Sequence, residues 1–208
     1  MNMDPNAAAE IALLRQQLAV SEAELRTLRA GITALIRHDA LTGVLNRRTL
    51  VETLDAELQR SRRTGQPFCF GIVDLDHFKQ VNEQYGMAVG DRVLKAVSDT
   101  ALKLLRGMDR FGRLGGEEFG IVMPATWLDS GVTAMTRLRT AIDGCDWAGM
   151  TGGTVVTFSA GLTINAPADS ASSLLQRAES ALLQAKLDGR NCTVVVEEPL
   201  PEMTDPDD

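Results

Sequence analysis

The residues best able to do chemistry together are Arg113-Leu114-Gly115-Gly116-Glu117-Glu118-Phe119. A Gly-Gly pair lies between two short β-like runs, Arg110 to Leu114 and Phe119 to Met123. Glycine adopts the positive φ of a tight two-residue turn without steric cost, so the segment predicts a β-hairpin. The turn would present Glu117 and Glu118 side by side. Two adjacent carboxylates repel unless something neutralises them, and a divalent metal does so. The missing side chains at the tip would also let a bulky anionic ligand approach the backbone. The plainer alternative is a solvated hairpin tip with two surface glutamates.

Other polar residues stand where buried elements end. Phe68 to Val73 has the pattern of a buried strand and runs into Asp74-Leu75-Asp76. A carboxylate at the mouth of a buried strand is a rigidly supported metal ligand, which suits Asp74. Asp76, followed by Phe78-Lys79, reads equally as the cap of the next helix. Asn82 and Asp91 can offer an amide and a carboxylate to a base edge. A carboxylate accepts two N–H bonds, which guanine supplies through N1 and N2 and adenine does not. Asp91 can instead be the N-cap of the amphipathic helix carrying Val93, Leu94, Val97, Ala101, Leu104 and Leu105. Lys186 and Arg190, four residues apart at the close of a helix from Ala171 to Leu187, can hold a phosphate chain or merely satisfy the last carbonyls.

These groups need a scaffold, and the spacing of apolar residues supplies one. Residues 8 to 36 read as one helix with a heptad stripe: Ile11, Leu14, Leu18, Ser21, Leu25, Leu28, Ile32 and Leu35. One helix cannot bury that stripe on itself, so it predicts a parallel coiled-coil homodimer; packing on its own domain is the alternative. Asp39 to Arg48 marks a turn, Leu50 to Arg62 a helix, and Gly65-Gln66-Pro67 a break. Ala134 to Ile142 reads as helix, Thr154 to Thr163 as strand and Cys192 to Val196 as a last strand. Of 208 residues 44% are apolar, enough for one core plus an extension. The formal charge of −7 sits mostly in 197–208, which hold six acids and no base and read as a disordered tail. No basic face for nucleic acid, no membrane span and no signal peptide is evident. Cys69 and Cys192 look like small core hydrophobes of a reducing compartment, so a cytoplasmic location is expected.

Taken together, five motifs in order resemble the GGDEF family of diguanylate cyclases. They are Asp39-Ala40-Leu41-Thr42-Gly43-Val44-Leu45-Asn46-Arg47, Asp74-Leu75-Asp76-His77-Phe78-Lys79 leading to Asn82, Gly90-Asp91, Gly115-Gly116-Glu117-Glu118-Phe119, and Ala185-Lys186 with Gly189-Arg190-Asn191. The resemblance implies an α+β fold: a palm-like, mostly antiparallel central sheet flanked by helices, preceded here by the coiled-coil helix. It implies three segments: 1–38 as coil, 39–196 as cyclase domain and 197–208 as tail. It implies condensation of two GTP into cyclic di-GMP with release of two pyrophosphates.

By the same resemblance, Asp74, the carbonyl of Leu75, Glu117 and Glu118 would hold Mg²⁺ or Mn²⁺. Glu117 would assist deprotonation of the ribose 3′-OH, and Arg113 would lie near the reacting phosphate. Asn82 and Asp91 would read guanine, with Gly115 and Gly116 against the substrate. Backbone N–H groups of His77, Phe78 and Lys79, with Lys186 and Arg190, would take the β- and γ-phosphates. Arg106-Gly107-Met108-Asp109 matches the family's inhibitory Arg-x-x-Asp, where Arg137 and Arg60 would add second contacts; the alternative is a helix-terminal arginine in a surface ion pair. Met87, Glu83, Glu179 and Leu183 depart from the family pattern, none at an implied metal ligand. Two further functions stay open: a receptor that binds cyclic di-GMP without turnover, and a coiled-coil interaction protein.

Overall fold

A computed structural model describes residues 5–197, the side chains of 5–13 and 30–35 excepted. The chain divides into two compact units, Met1–His38 and Asp39–Asp208. The first is a single helix, α1 (Pro5–Arg37). Leu14, Leu18, Leu25 and Leu28 of its heptad stripe are between 49% and 62% exposed, whereas a packed seam would bury them. The side chains of Ile11, Ile32 and Leu35 lie outside the described residues, as do residues 198–208 of the acidic tail. No helix among the described residues is long and apolar enough to cross a membrane.

The second unit is an α+β fold built on six strands: β1 (Leu45–Asn46), β2 (Cys69–Leu75), β3 (Arg110–Gly115), β4 (Glu118–Met123), β5 (Phe158–Ile164) and β6 (Thr193–Val195). Their order across the sheet is β1-β3-β4-β2-β5-β6. The outer pairs β1/β3 and β5/β6 are parallel and the three inner pairings antiparallel. The sheet is thus mostly antiparallel, as expected.

Helices cover both faces, which is why β2 reads as an unbroken apolar run. Side chains alternate along it. Phe70 and Ile72 join Leu50, Leu54 and Leu58 of α2 (Arg47–Thr64) and Leu174, Ala178 and Leu182 of α7 (Ala171–Leu187). Cys69, Val73 and Leu75 join the opposite core. Its other walls are Phe78 and Val81 of α3 (Phe78–Tyr85), Val93 and Val97 of α4 (Met87–Leu104), and Met135 and Leu138 of α5 (Leu128–Asp143). A four-residue α6 (Ala148–Thr151) precedes β5. Cys69 is fully buried, and burial, with the nearby charge of Glu197, pushes its thiol up to about 12, so it stays a protonated core group.

Several boundaries differ from the sequence expectation. α2 begins at Arg47, because Asn46 caps it by accepting from the Thr49 N–H. β5 begins at Phe158 rather than Thr154. α4 begins at Met87 after a break at Gly86, so Asp91 lies inside the helix, exposed, and is not its N-cap.

Candidate active site

The β3–β4 hairpin forms, but its turn is one residue later than the glycine pair suggests. Gly115 still belongs to β3 and pairs with Glu118, after a register shift between Arg113 and Gly115. The turn residues are Gly116, at φ +43°, and Glu117. Arg113 fixes this geometry. Its Nε and Nη2 donate to the Gly116 carbonyl at 2.9 and 2.6 Å, and Nη1 reaches Asp39 Oδ1 at 3.2 Å. Asp39 in turn accepts from the N–H and hydroxyl of Thr42 at 2.9 and 2.6 Å. Burial alone would raise the Asp39 carboxyl; the Thr42 bonds and the Arg113 charge outweigh it and hold the group below its ordinary value. Here the Arg113 guanidinium is engaged in clamping the turn, a role the sequence did not suggest.

The turn carries Glu117, half-buried, beside the end of β2, and the Leu75 N–H donates to the Glu117 carbonyl at 3.3 Å. Glu118 is the direct cross-strand partner of Asp74. Directly opposed residues of an antiparallel pair share a sheet face with their Cβ atoms about 5 Å apart, and like charges there are destabilising. Asp74 is buried, and burial raises its carboxyl. The ammonium of Lys186 opposes that shift, while the charges of Glu117 and Asp76 add to it. The Glu118 carboxyl is raised by lost hydration, although the residue as a whole is exposed; Asp74, Glu117 and Glu179 add to the rise and Lys186 opposes it. The cluster therefore carries more negative charge than it neutralises.

Among the described residues the one cation at this cluster is Lys186, whose Nζ lies 2.9 Å from Asp74 Oδ1. Among the described residues no three acidic, histidine or cysteine side chains converge tightly enough to enclose an ion by themselves. The donor chemistry nonetheless fits a hard divalent cation: oxygen ligands only, in charge excess, and a site already occupied by a positive group.

Asp76, two residues from Asp74, has the opposite fate. Its oxygens accept from Thr157 Oγ1 at 2.8 Å, Ser159 Oγ at 2.7 Å and the Asn191 N–H at 3.0 Å. It caps no helix, because His77 at φ +57° occupies the cap position of α3. No side chain caps that helix, so the first-turn N–H groups of Phe78 and Lys79 make a ready anion site. The Lys79 ammonium itself pairs with Glu83 at 3.6 Å on the surface. Arg190 lies beyond the end of α7, in the left-handed region at φ +66°, so Lys186 and Arg190 do not share a helical face.

Asn82 on α3 faces the start of α4. Its Oδ1 is buried without a hydrogen-bond partner. A Cβ at Gly90 would stand 1.9 Å from that oxygen, so glycine is required for Asn82 to lie there. An orphaned buried acceptor is costly, by roughly 1–3 kcal/mol, unless a ligand donor meets it. Asp91 follows Gly90 directly.

At the other end of β3, Arg106 and Asp109 close a turn: the Arg106 N–H donates to Asp109 Oδ2 at 2.8 Å, and the Asp109 N–H to the Arg106 carbonyl at 3.0 Å. The pairing is through the backbone, not the surface ion pair considered above. Asp109 Oδ1 is buried and unpartnered. Arg106, Asp109 and Arg137 line one cavity of about 220 Å³ between the end of α4 and α5. Arg60 lies elsewhere, gripped by Glu57 through Nε and Nη2 at 2.9 and 2.6 Å.

Residues 36–192 match the GGDEF family, described as diguanylate cyclase, GGDEF domain. Over 153 residues, 74% of this chain and 23% of the relative, the sequence is 39% identical to diguanylate cyclase DgcP of Pseudomonas aeruginosa. The chain spans between 23% and 40% of the length of the first curated relatives it matches. Among solved structures it resembles the diguanylate cyclase SiaD of Pseudomonas aeruginosa, in complex with its activator SiaC, with TM-score 0.75 and 34% identity over 92% of this chain and 75% of that one. It also resembles the coiled coil and GGDEF domain of DgcB from Caulobacter crescentus, in complex with c-di-GMP, with TM-score 0.78 and 26% identity over 88% and 99%. The opposed carboxylates, the five motifs and these matches agree: the chain belongs to the GGDEF diguanylate cyclase family.

Proposed function

We propose that this chain is a diguanylate cyclase that condenses two GTP molecules into cyclic di-GMP and two pyrophosphates. The observation that carries the reading is the opposition of Asp74 and Glu118 across β2 and β4, with Glu117 on the adjoining turn. Members of the family generally use a divalent metal; Asp74, the Leu75 carbonyl, Glu117 and Glu118 would hold it, as Mg²⁺ or Mn²⁺. Such a cation would offset the negative charge that phosphoryl transfer concentrates on the phosphate oxygens. Glu117, half-buried on the turn, takes the proton of the attacking 3′-OH. Arg113 keeps that turn in place from behind. The first-turn N–H groups of α3, with Lys186 and Arg190, receive the β- and γ-phosphates. The orphaned Asn82 oxygen meets a guanine N–H, and Asp91 accepts from N1 and N2.

One chain offers one such set of groups, while the product needs two phosphodiester bonds. Two chains therefore face each other, each GTP both attacking and attacked. The exposed leucines of α1 support a parallel coiled coil as the tether, which raises the effective concentration to roughly millimolar. The cavity at Arg106, Asp109 and Arg137 binds the product and restrains turnover. The cytoplasm, where GTP and thiol-preserving conditions coexist, is the expected location.

The test is chromatographic: purified chain with GTP and Mg²⁺ yields cyclic di-GMP, at a specific rate that falls on dilution as dimers dissociate. Tight cyclic di-GMP binding with no product formed would instead favour the receptor.

A further inference from the structure

The ion pair between Lys186 and Asp74 raises a question that the phosphate role of Lys186 leaves open. Its Nζ sits 2.9 Å from an oxygen of the buried Asp74 carboxylate, while a third of the Lys186 side chain remains exposed. Asp74 accepts no other hydrogen bond from a side chain among the described residues. Its neighbour Asp76 shows what a permanently satisfied carboxylate looks like here: three short donors, two from β5 and its approach and one from the backbone after α7. Asp74 has instead a single donor on a long, flexible stem with a way out to solvent. Lysine is suited to that: a compact point charge with rotatable donors, in contrast to the fixed fork of arginine.

Resting on the cation-site reading above, we infer that Lys186 is an exchangeable stand-in cation. It occupies Asp74 while the metal is absent and leaves it when the metal arrives. A lone charge at Asp74, opposed by Glu118, would be costly to bury, and Lys186 offsets that cost in the free protein. The two cations compete for one oxygen, so Lys186 weakens metal binding by the nucleotide-free protein. Once displaced, its ammonium is delivered beside the site, where a triphosphate can take it. Metal and nucleotide each gain from the other, because each frees or employs the same lysine.

Mn²⁺ binding to the full chain, followed by electron paramagnetic resonance without nucleotide, tests this. Lys186→Met should bind Mn²⁺ about tenfold more tightly than the unaltered chain, and Lys186→Gln should move the same way. Equal or weaker binding in a folded variant overturns the inference. A second measurement needs no variant: the rate at which an amine-acylating reagent modifies Lys186, read by mass spectrometry. It should rise severalfold as Mn²⁺ saturates the chain, and a flat rate under saturation overturns the inference just as firmly. Failure of the underlying reading is distinct: Glu117→Gln would bind Mn²⁺ as well as the unaltered chain, showing that the ion lies elsewhere.

Discussion

β3 runs between two turns, each served by an arginine and an aspartate, yet the two arginines are spent differently. Arg113, at the hairpin end, gives three N–H groups to the Gly116 carbonyl and Asp39. Arg106, at the far end, commits only its backbone to Asp109, and its guanidinium makes no bond among the described residues. The aspartates mirror this. Asp39 is saturated by Thr42 and Arg113, while Asp109 keeps a buried oxygen without a partner. A guanidinium with all three nitrogens engaged is scaffolding, whereas one that makes no bond, beside an orphaned acceptor, is left able to bind, as the proposed product site requires. The same rule separates Asp76 from Asp74 on the neighbouring strand.

The largest expected effect tests whether the hairpin end alone does the proposed chemistry. Glu117→Gln and Asp74→Asn should each lower turnover by roughly a hundredfold to a thousandfold, while calorimetry shows product still binding at the far end. Near-normal rates from either would remove the carboxylates from catalysis. Next, Arg106→Ala should weaken cyclic di-GMP binding by about thirtyfold and leave the uninhibited rate intact. Unchanged affinity would make Arg106 as structural as Arg113. Arg113→Met should show the reverse pattern: a rate lower by roughly tenfold through a loosened turn, a melting temperature lower by about 3 °C, and product affinity unaltered.

The smallest effect is in acid stability. The folded Asp39 carboxyl lies below its ordinary 3.8, so its contribution is present above that value and is lost as pH falls through the lower folded one. Arg113→Met removes one cause of the depression. Its acid-unfolding midpoint should therefore move to higher pH, read by circular dichroism, whereas Arg106→Ala should leave that midpoint in place.

Much of this arrangement was legible in local sequence. The hairpin, the buried run of β2, the amphipathic helices and the carboxylates at strand ends all follow from periodicity and glycine. What escaped lay in contacts between distant segments. The hairpin turn slips by one residue because Arg113 grips Gly116 and reaches Asp39, and nothing local encodes that grip. Asp76 looked like a cap because its donors, Asn191 among them, are as many as 115 positions away. Asp91 looked like a cap because glycines at 86 and 90 are alike as letters. Only packing reveals that Gly86 breaks the chain and Gly90 makes room for Asn82. The spacing of Lys186 and Arg190 suggested one helical face, but the helix stops between them, and Gly189 at φ +107° turns the chain away.

The two glycines of the hairpin are also unequal in what they cost the unfolded chain. Gly116 needs its positive φ, but Gly115 sits in extended backbone, and a methyl group there would meet no heavy atom within 4 Å. The folded protein without ligand has no use for a glycine at 115. It bears the extra freedom of that residue in the unfolded ensemble, worth about 0.4–1 kcal/mol that an alanine would recover. With Gly115 against the substrate, as the family resemblance implies, a Gly115→Ala protein should melt slightly higher and work worse, because the methyl group would fill space that the nucleotide needs. On that reading stability and activity pull in opposite directions at this position, and the chain carries the residue that leaves the site open.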